Sequence, residues 1–234
     1  MLPKIDLPLF TINMPSIDKK LSCRPFLVKE EKILLMAQQA GEEREIILAI
    51  KQILANCIQD KSFDPDRLTT FDLEYMFLQL RARSVDNKAK LSYRDLEDDK
   101  VYDFEIDLDD VKLDMKKTET KIPINDEIGI LMKYPTIDFL ERLPEATTAE
   151  ELTEMMISNC IDKVYDSENV YDASEQTSEE LQGFIDQLNV NVYNKIKEFL
   201  ASIPTMSYTI KYTNSLGNER KIELTTLRDF FTWG

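Results

Sequence analysis

The segment FDLEYMFLQLRARS, from Phe71 to Ser84, carries apolar side chains on two helical faces at once. Leu73, Met76, Phe77 and Leu80 fall on one stripe at three- and four-residue spacing, and Phe71, Tyr75 and Leu78 fall on another. A surface helix needs one such stripe. A helix with two is either central to the core or has its second face covered by another protein. The helix is expected to begin near Thr69, with Asp72 in its first turn and Arg81 and Arg83 in its last, as the helix dipole favours. Whatever the chain does, both apolar stripes of residues 71–80 need cover, from this chain or from a second protein. Phe71, Tyr75 and Leu78, with Arg81 and Arg83 on the same helix, are candidate partner-binding residues if the second face is open, and structural residues if it is not.

The walls are legible on both sides. Phe10 to Met14 and Leu21 to Phe26 alternate around PSIDKK, a turn with Pro15, Ser16 and Asp18, and predict an N-terminal hairpin. From Val28 the pattern is helical. After a break at Gly41, a second helix carries Ile46, Ile50, Ile53, Leu54 and Cys57 on one stripe, and Asp64-Pro65 ends that unit. Tyr102, Phe104, Ile106 and Leu108 alternate with Asp103, Glu105, Asp107 and Asp109, the period of a half-buried strand, with Leu91 and Tyr93 on its hairpin partner. A short strand is expected over Ile128 to Tyr134. Thr147 with Glu150, and Thr177 with Glu180, fit capping boxes; the second opens one long helix from Leu181 to Leu200 that Pro204 stops. Between them, Asp166 to Ser178 reads as a mobile polar loop. Tyr208, Ile210 and Tyr212, a turn with Asn214 and Gly217, then Ile222 and Leu224 predict a C-terminal hairpin, closed by one or two helical turns. The fold class is α+β, antiparallel β-hairpins packed with several α-helices, divided as 1–136 and 137–234 or forming one continuous domain.

The chemistry this chain can support is narrow. It has no histidine, which removes Ser-His-Asp and Cys-His nucleophilic sites and the commonest transition-metal ligand. Its five glycines, Gly41, Gly129, Gly183, Gly217 and Gly234, are too dispersed for a phosphate-cradling loop. Cys23, Cys57 and Cys160 have no paired spacing and are expected to be reduced and buried. No catalytic residue, cofactor or metal is therefore expected. Asp103, Glu105, Asp107, Asp109 and Asp110 could in principle hold calcium or magnesium and serve a metal-dependent hydrolase. Strict alternation without an EF-hand glycine favours instead a solvated strand face, with a docking surface for a basic partner as the second choice.

A net charge of −15 repels phosphate backbones, so nucleic acid is not an expected partner, whereas basic protein surfaces are. Met1 to Phe10 lacks the pattern of a secretory signal, and no stretch approaches the roughly 18 apolar residues of a membrane span. The chain is expected to stay in the cytoplasm where it is made. Arg81 and Arg83 with Lys88 and Lys90 form the one local basic cluster, read as helix-end charges followed by a solvated loop. Phe230, Phe231 and Trp233 either fold back as a lid on the core or anchor a partner.

RPFLVKEEKILLMA from Arg24 to Ala37, FDLEYMFLQLRARS, Asn56-Cys57, LSYRDLEDDKVYDFEIDLDDV, IGILMKYPT and the closing TTLRDFF together resemble the baseplate hub subunit and hub assembly family of T-even-type contractile-tailed bacteriophages. The resemblance covers most of the chain. It implies a non-enzymatic virion morphogenesis protein, a structural component or assembly factor of the central baseplate hub. Its partners would be other phage hub or tail proteins, met in the host cytoplasm and, for a retained subunit, in the tail baseplate. It leaves open a transient tail assembly chaperone; a regulatory phage protein that binds a host factor is a further alternative.

Overall fold

The computed structural model describes residues 6–115, 119–144 and 148–230. In chain order these form strands β1 (Phe10–Met14) and β2 (Lys19–Cys23), helices α1 (Val28–Ala40), α2 (Glu43–Cys57) and α3 (Thr70–Ser84), and strands β3 (Lys88–Asp95), β4 (Lys100–Asp107), β5 (Lys112–Leu113), β6 (Lys121–Pro123) and β7 (Gly129–Met132). There follow helices α4 (Ile137–Glu141) and α5 (Ala149–Cys160), strands β8 (Ile161–Tyr165) and β9 (Val170–Asp172), helices α6 (Ser178–Ile185) and α7 (Val190–Ala201), strands β10 (Met206–Thr213) and β11 (Glu219–Leu224), and α8 (Leu227–Phe230). The strands pair antiparallel, and the fold is α+β.

Contacts divide the chain into two units, Met1–Asp114 with Thr205–Gly234, and Met115–Pro204. The boundaries therefore fall at 114 and 204, not at 136. The reason is β10, which pairs with β11 on one side and with β5 on the other, Met206 opposite Leu113, and so takes the C-terminal hairpin into the first unit. Asp114 N donates to Thr205 O at 2.9 Å, so the chain leaves the first unit and re-enters it at adjacent points. The second unit is an insertion.

In the first unit everything is arranged about α3. Phe71, Leu73, Met76, Phe77, Leu78 and Leu80 are all buried, so the first stripe is enclosed and the second is enclosed except at half-buried Tyr75. The walls are β1 and the turn after it, α2, the 3-10 turn Leu108–Asp110 and β10. The helix start is fixed by Thr69, whose hydroxyl accepts from Asp72 N at 3.2 Å, satisfying one of the free amides of the first turn. Asp72, itself buried, accepts from the Thr69 hydroxyl at 2.8 Å and from Ser16 N at 2.9 Å, tying the β1–β2 turn to the helix. Gly41, at a φ of 75° that favours glycine, ends α1 and lets α2 turn back against it.

The second unit is the sheet β6-β7-β8-β9 covered by helices. Ile130 and Ile161 from the sheet meet Ile157, Ile196 and Phe199 in its core, and Tyr134 stacks on Phe199 at 5.3 Å. Gly129 lies under the Tyr165 ring, where a Cβ would stand 2.1 Å from the phenol oxygen, so any larger residue there requires that ring to shift.

Three local expectations need correction. The first capping box is Thr148 with Glu151, one residue later than Thr147 with Glu150, and Thr147 lies outside the described residues. Residues 181–200 form two helices, because Asn189 accepts from Val192 N at 3.1 Å and starts a new helix while the three- and four-residue apolar spacing runs on across the break. Asp166 to Ser178 is a built hairpin and 3-10 turn: Asp166 accepts from the amides of Glu168 and Asn169, and Asp172 from that of Ser174. Its polar residues are turn-formers.

Enclosure of α3 makes Phe77→Ala a deep cavity mutation, expected to cost about 3–5 kcal/mol in chemical denaturation. A loss under about 1 kcal/mol would contradict the burial described.

Candidate interaction surfaces

Two of the segments carrying the resemblance, Arg24–Ala37 and Phe71–Ser84, meet each other. Phe26 packs on Phe77 with ring centroids 5.8 Å apart, and the Arg81 guanidinium lies 3.8 Å from Glu31. At the start of α1, Glu30 is fully buried and grips Arg24 through both carboxylate oxygens, at 2.8 and 3.3 Å, while also accepting from Leu27 N at 3.0 Å. Arg24 in turn donates to Pro25 O, and its backbone N to Cys57 O. Burial alone would raise the Glu30 pKa. The Arg24 hydrogen bonds, the Leu27 amide and the charges of Arg24 and Lys29 outweigh it and hold the carboxyl below the ordinary 4.5.

Of the candidate partner residues, Phe71 and Leu78 are buried within the first unit and present no surface to a partner; Phe230 is likewise fully buried, as a lid. Tyr75 and Arg81 are half-buried. Arg83 is exposed, and its guanidinium donates to Thr11 O and lies 5.9 Å from the centre of the Phe10 ring. Four residues earlier, Gln79 donates to Asn13 O and accepts from Asn13 N, each at 3.0 Å. This i, i+4 pair occupies backbone groups of β1 that a lone two-stranded hairpin would leave open for another strand. Of the helix-end charges of α3, Arg83 thus serves the hairpin and Arg81 faces Glu31 of α1. Phe231 and Trp233 lie outside the described residues.

The acidic strand face also changes character. Register places Lys88, Lys90, Ser92 and Arg94 of β3 opposite Asp107, Glu105, Asp103 and Val101 of β4. Lys88 pairs with Glu105 at 2.5 Å, and the Ser92 hydroxyl donates to Asp103 at 2.6 Å. Asp107 accepts from Asn87 and from Asp109 N, capping the 3-10 turn. The face is a ladder of mixed charge, solvated as expected and less negative than β4 read by itself. Among the described residues no group of three or more carboxylates or thiols could hold a metal ion, and no helix is long and apolar enough to cross a membrane. The three cysteines are free and buried.

A clamp joins the β3–β4 turn to the β10–β11 hairpin. Buried Asp95 accepts from the Tyr212 phenol at 2.7 Å and faces Arg220 at 3.2 Å; Glu97 accepts from Asn214 and Asn218, and Asp98 from Tyr102 and Ser215. The Tyr212 hydrogen bond and the Arg220 charge keep the Asp95 carboxyl low, while burial and that same bond push the Tyr212 phenol up to about 12.

What remains open is the outer face of α1. Val28 is 73% exposed and Met36 71%, with Leu35 beside it, although Leu34 and Ala37 of the same helix are buried. The sequence signal was available, because Val28, Leu35 and Met36 stand at seven- and eight-residue spacing away from the core stripe.

Comparison with known proteins gives one family: the model described as T4 bacteriophage base plate protein matches residues 7–232. No curated protein and no solved structure matches the chain.

Two outcomes follow from this geometry. Replacing Asp103 and Glu105 with Asn and Gln should move the melting temperature by no more than about 2 °C, since exposed pairs contribute little. Asp107→Ala, which removes a cap, should cost about 1 kcal/mol; equal effects in a thermal melt would contradict these separate roles. Breaking the buried pair with Arg24→Ala should cost about 3–5 kcal/mol at neutral pH. Because the folded Glu30 pKa is lowered, its contribution is present above its unfolded value near 4.5 and is lost as pH falls through the folded value. Urea midpoints measured from pH 7 to pH 3 should therefore fall less steeply for Glu30→Gln than for the native chain, and parallel curves would count against the pair.

Proposed function

We propose a role at the hub from one premise: this chain belongs to the T4 bacteriophage base plate protein family. Membership makes it a phage baseplate protein. The finer reading is that it works at the central hub of the tail baseplate, as a structural component or an assembly factor, through contacts with other phage baseplate proteins and without catalysis. It would meet them in the host cytoplasm during assembly. The family match across nearly the whole chain carries the baseplate part of this reading, and the hub-family resemblance of the segments quoted above is what supports the finer part. The structure supports a binding role in a second way. The residues bearing the resemblance hold the first unit together on one side of α1 and leave Val28, Leu35 and Met36 in solvent on the other. Apolar side chains grouped on an exposed helix face suit burial against a protein partner.

The test is a phage carrying Leu35→Asp and Met36→Asp. Both side chains are exposed, so the purified variant should melt within about 2 °C of the native chain. Infected cells should nevertheless accumulate baseplate intermediates without a complete hub. Mass spectrometry of mature native particles then separates the two forms of the role, finding the chain at fixed stoichiometry for a subunit and missing for an assembly factor. Normal hubs in a phage lacking the gene altogether would overturn the hub reading.

A further inference from the structure

The excess negative charge is unevenly placed. The inserted unit, residues 115–204, holds 18 of the 44 acidic residues but 8 of the 29 basic ones, so two thirds of the net charge of −15 belongs to it. On this unit an open groove of about 830 Å³ runs along α5 and the start of α6. Met155, Ile161, Ala173 and Leu181 give it an apolar lining, and Glu154 and Glu179 stand among the polar residues that border it. The two cations that also line it are engaged, Arg142 with Asp138 at 2.5 Å and Lys133 with Asp162 at 3.9 Å. Among the described residues Glu154 and Glu179 make no ion pair, and both are exposed. A second, more apolar groove of about 270 Å³, lined by Val164, Tyr171 and Phe184, shares Leu181 and Gln176 with the first and is bordered by Asp166 and Glu180.

We infer that these joined grooves dock a basic amphipathic segment of a partner protein, its apolar side chains on Met155, Leu181 and Phe184 and its lysines or arginines against Glu154 and Glu179. The charge argument selects this occupant. An acidic or phosphorylated segment would meet uncompensated carboxylates at the border and a repulsive field from the whole unit. A purely apolar segment would leave them unused. A helix with apolar residues at three- and four-residue spacing and cations on its flanks satisfies both the lining and the border. Met155 supplies an adaptable contact of the kind that accommodates varied apolar side chains. The identity of the partner as a baseplate protein rests on the function proposed above; the chemistry of the segment rests on the grooves themselves.

The experiment uses the purified full-length chain and a fluorescent designed peptide of about 18 residues, built from leucine and lysine at amphipathic helical spacing. A leucine and glutamate peptide of the same pattern serves as its counterpart. Anisotropy titration should show saturable binding of the lysine peptide and none of the glutamate peptide. The double variant Glu154→Lys, Glu179→Lys should weaken binding about tenfold or more. The control Glu119→Lys, Glu198→Lys makes the same change in net charge at exposed residues that line neither groove and should leave binding within about twofold, because long-range charge is largely screened in physiological salt. Absence of saturable binding, or equal weakening by the two double variants, would overturn the groove as the docking site. Because this readout needs no phage component, its failure would leave the hub reading standing, and a failure of hub assembly would leave the groove standing.

Discussion

The first unit depends on the cover that α3 finds for its apolar faces. A helix apolar on two faces is insoluble on a surface, and here each face has found cover in the chain's own elements, the N-terminal hairpin, α2, the 3-10 turn after β4 and the returning strand β10. The requirement explains why remote parts of the chain are recruited. Asp72 and Gln79 reach back more than fifty residues to Ser16 and Asn13, so the polar groups of α3 are spent on holding its own walls. Satisfying backbone and carboxylate in this way avoids the cost of buried polar atoms without partners.

The same logic governs the return of the C-terminus. The insertion of residues 115–204 interrupts the first unit, yet the polar clamp between Asp95, Tyr212 and Arg220 and the strand pairing of β10 with β5 fix the returning hairpin. A buried carboxylate with two strong partners discriminates against wrong registers, since a slip of one residue would turn Tyr212 to the opposite face and leave Asp95 buried without that hydrogen bond. The inserted unit has its own sheet, its own helices and its own core, and it carries most of the net charge.

Family membership and geometry combine into a division of labour. The segments RPFLVKEEKILLMA and FDLEYMFLQLRARS, which carry the resemblance most clearly, contribute the Arg24–Glu30 pair and the Phe26–Phe77 contact, both internal. The surfaces proposed for partners lie on the outer side of α1, within the first of these segments, and along the grooves of the inserted unit.

Local order determined most of the elements. The hairpins at either end and at 88–107, the stop at Gly41, the cap at Thr177 and the two apolar stripes of residues 71–80 could be read because each depends on spacing within a few residues. Single-residue capping chemistry was harder, and so Thr148 displaced Thr147, and Asn189 divided a helix whose apolar rhythm continues unbroken. What only tertiary structure decided was pairing across distance. β3 lysines tempered an acidic strand face, α3 side chains closed the edge of β1, and β5 captured β10, which moved the unit boundaries to 114 and 204. The candidate surface residues divided for the same reason. Phe71, Leu78 and Phe230 are apolar enough for an interface or a core, and which they became was set by whether another part of this chain reached them first, a matter of long-range packing that no local pattern encodes.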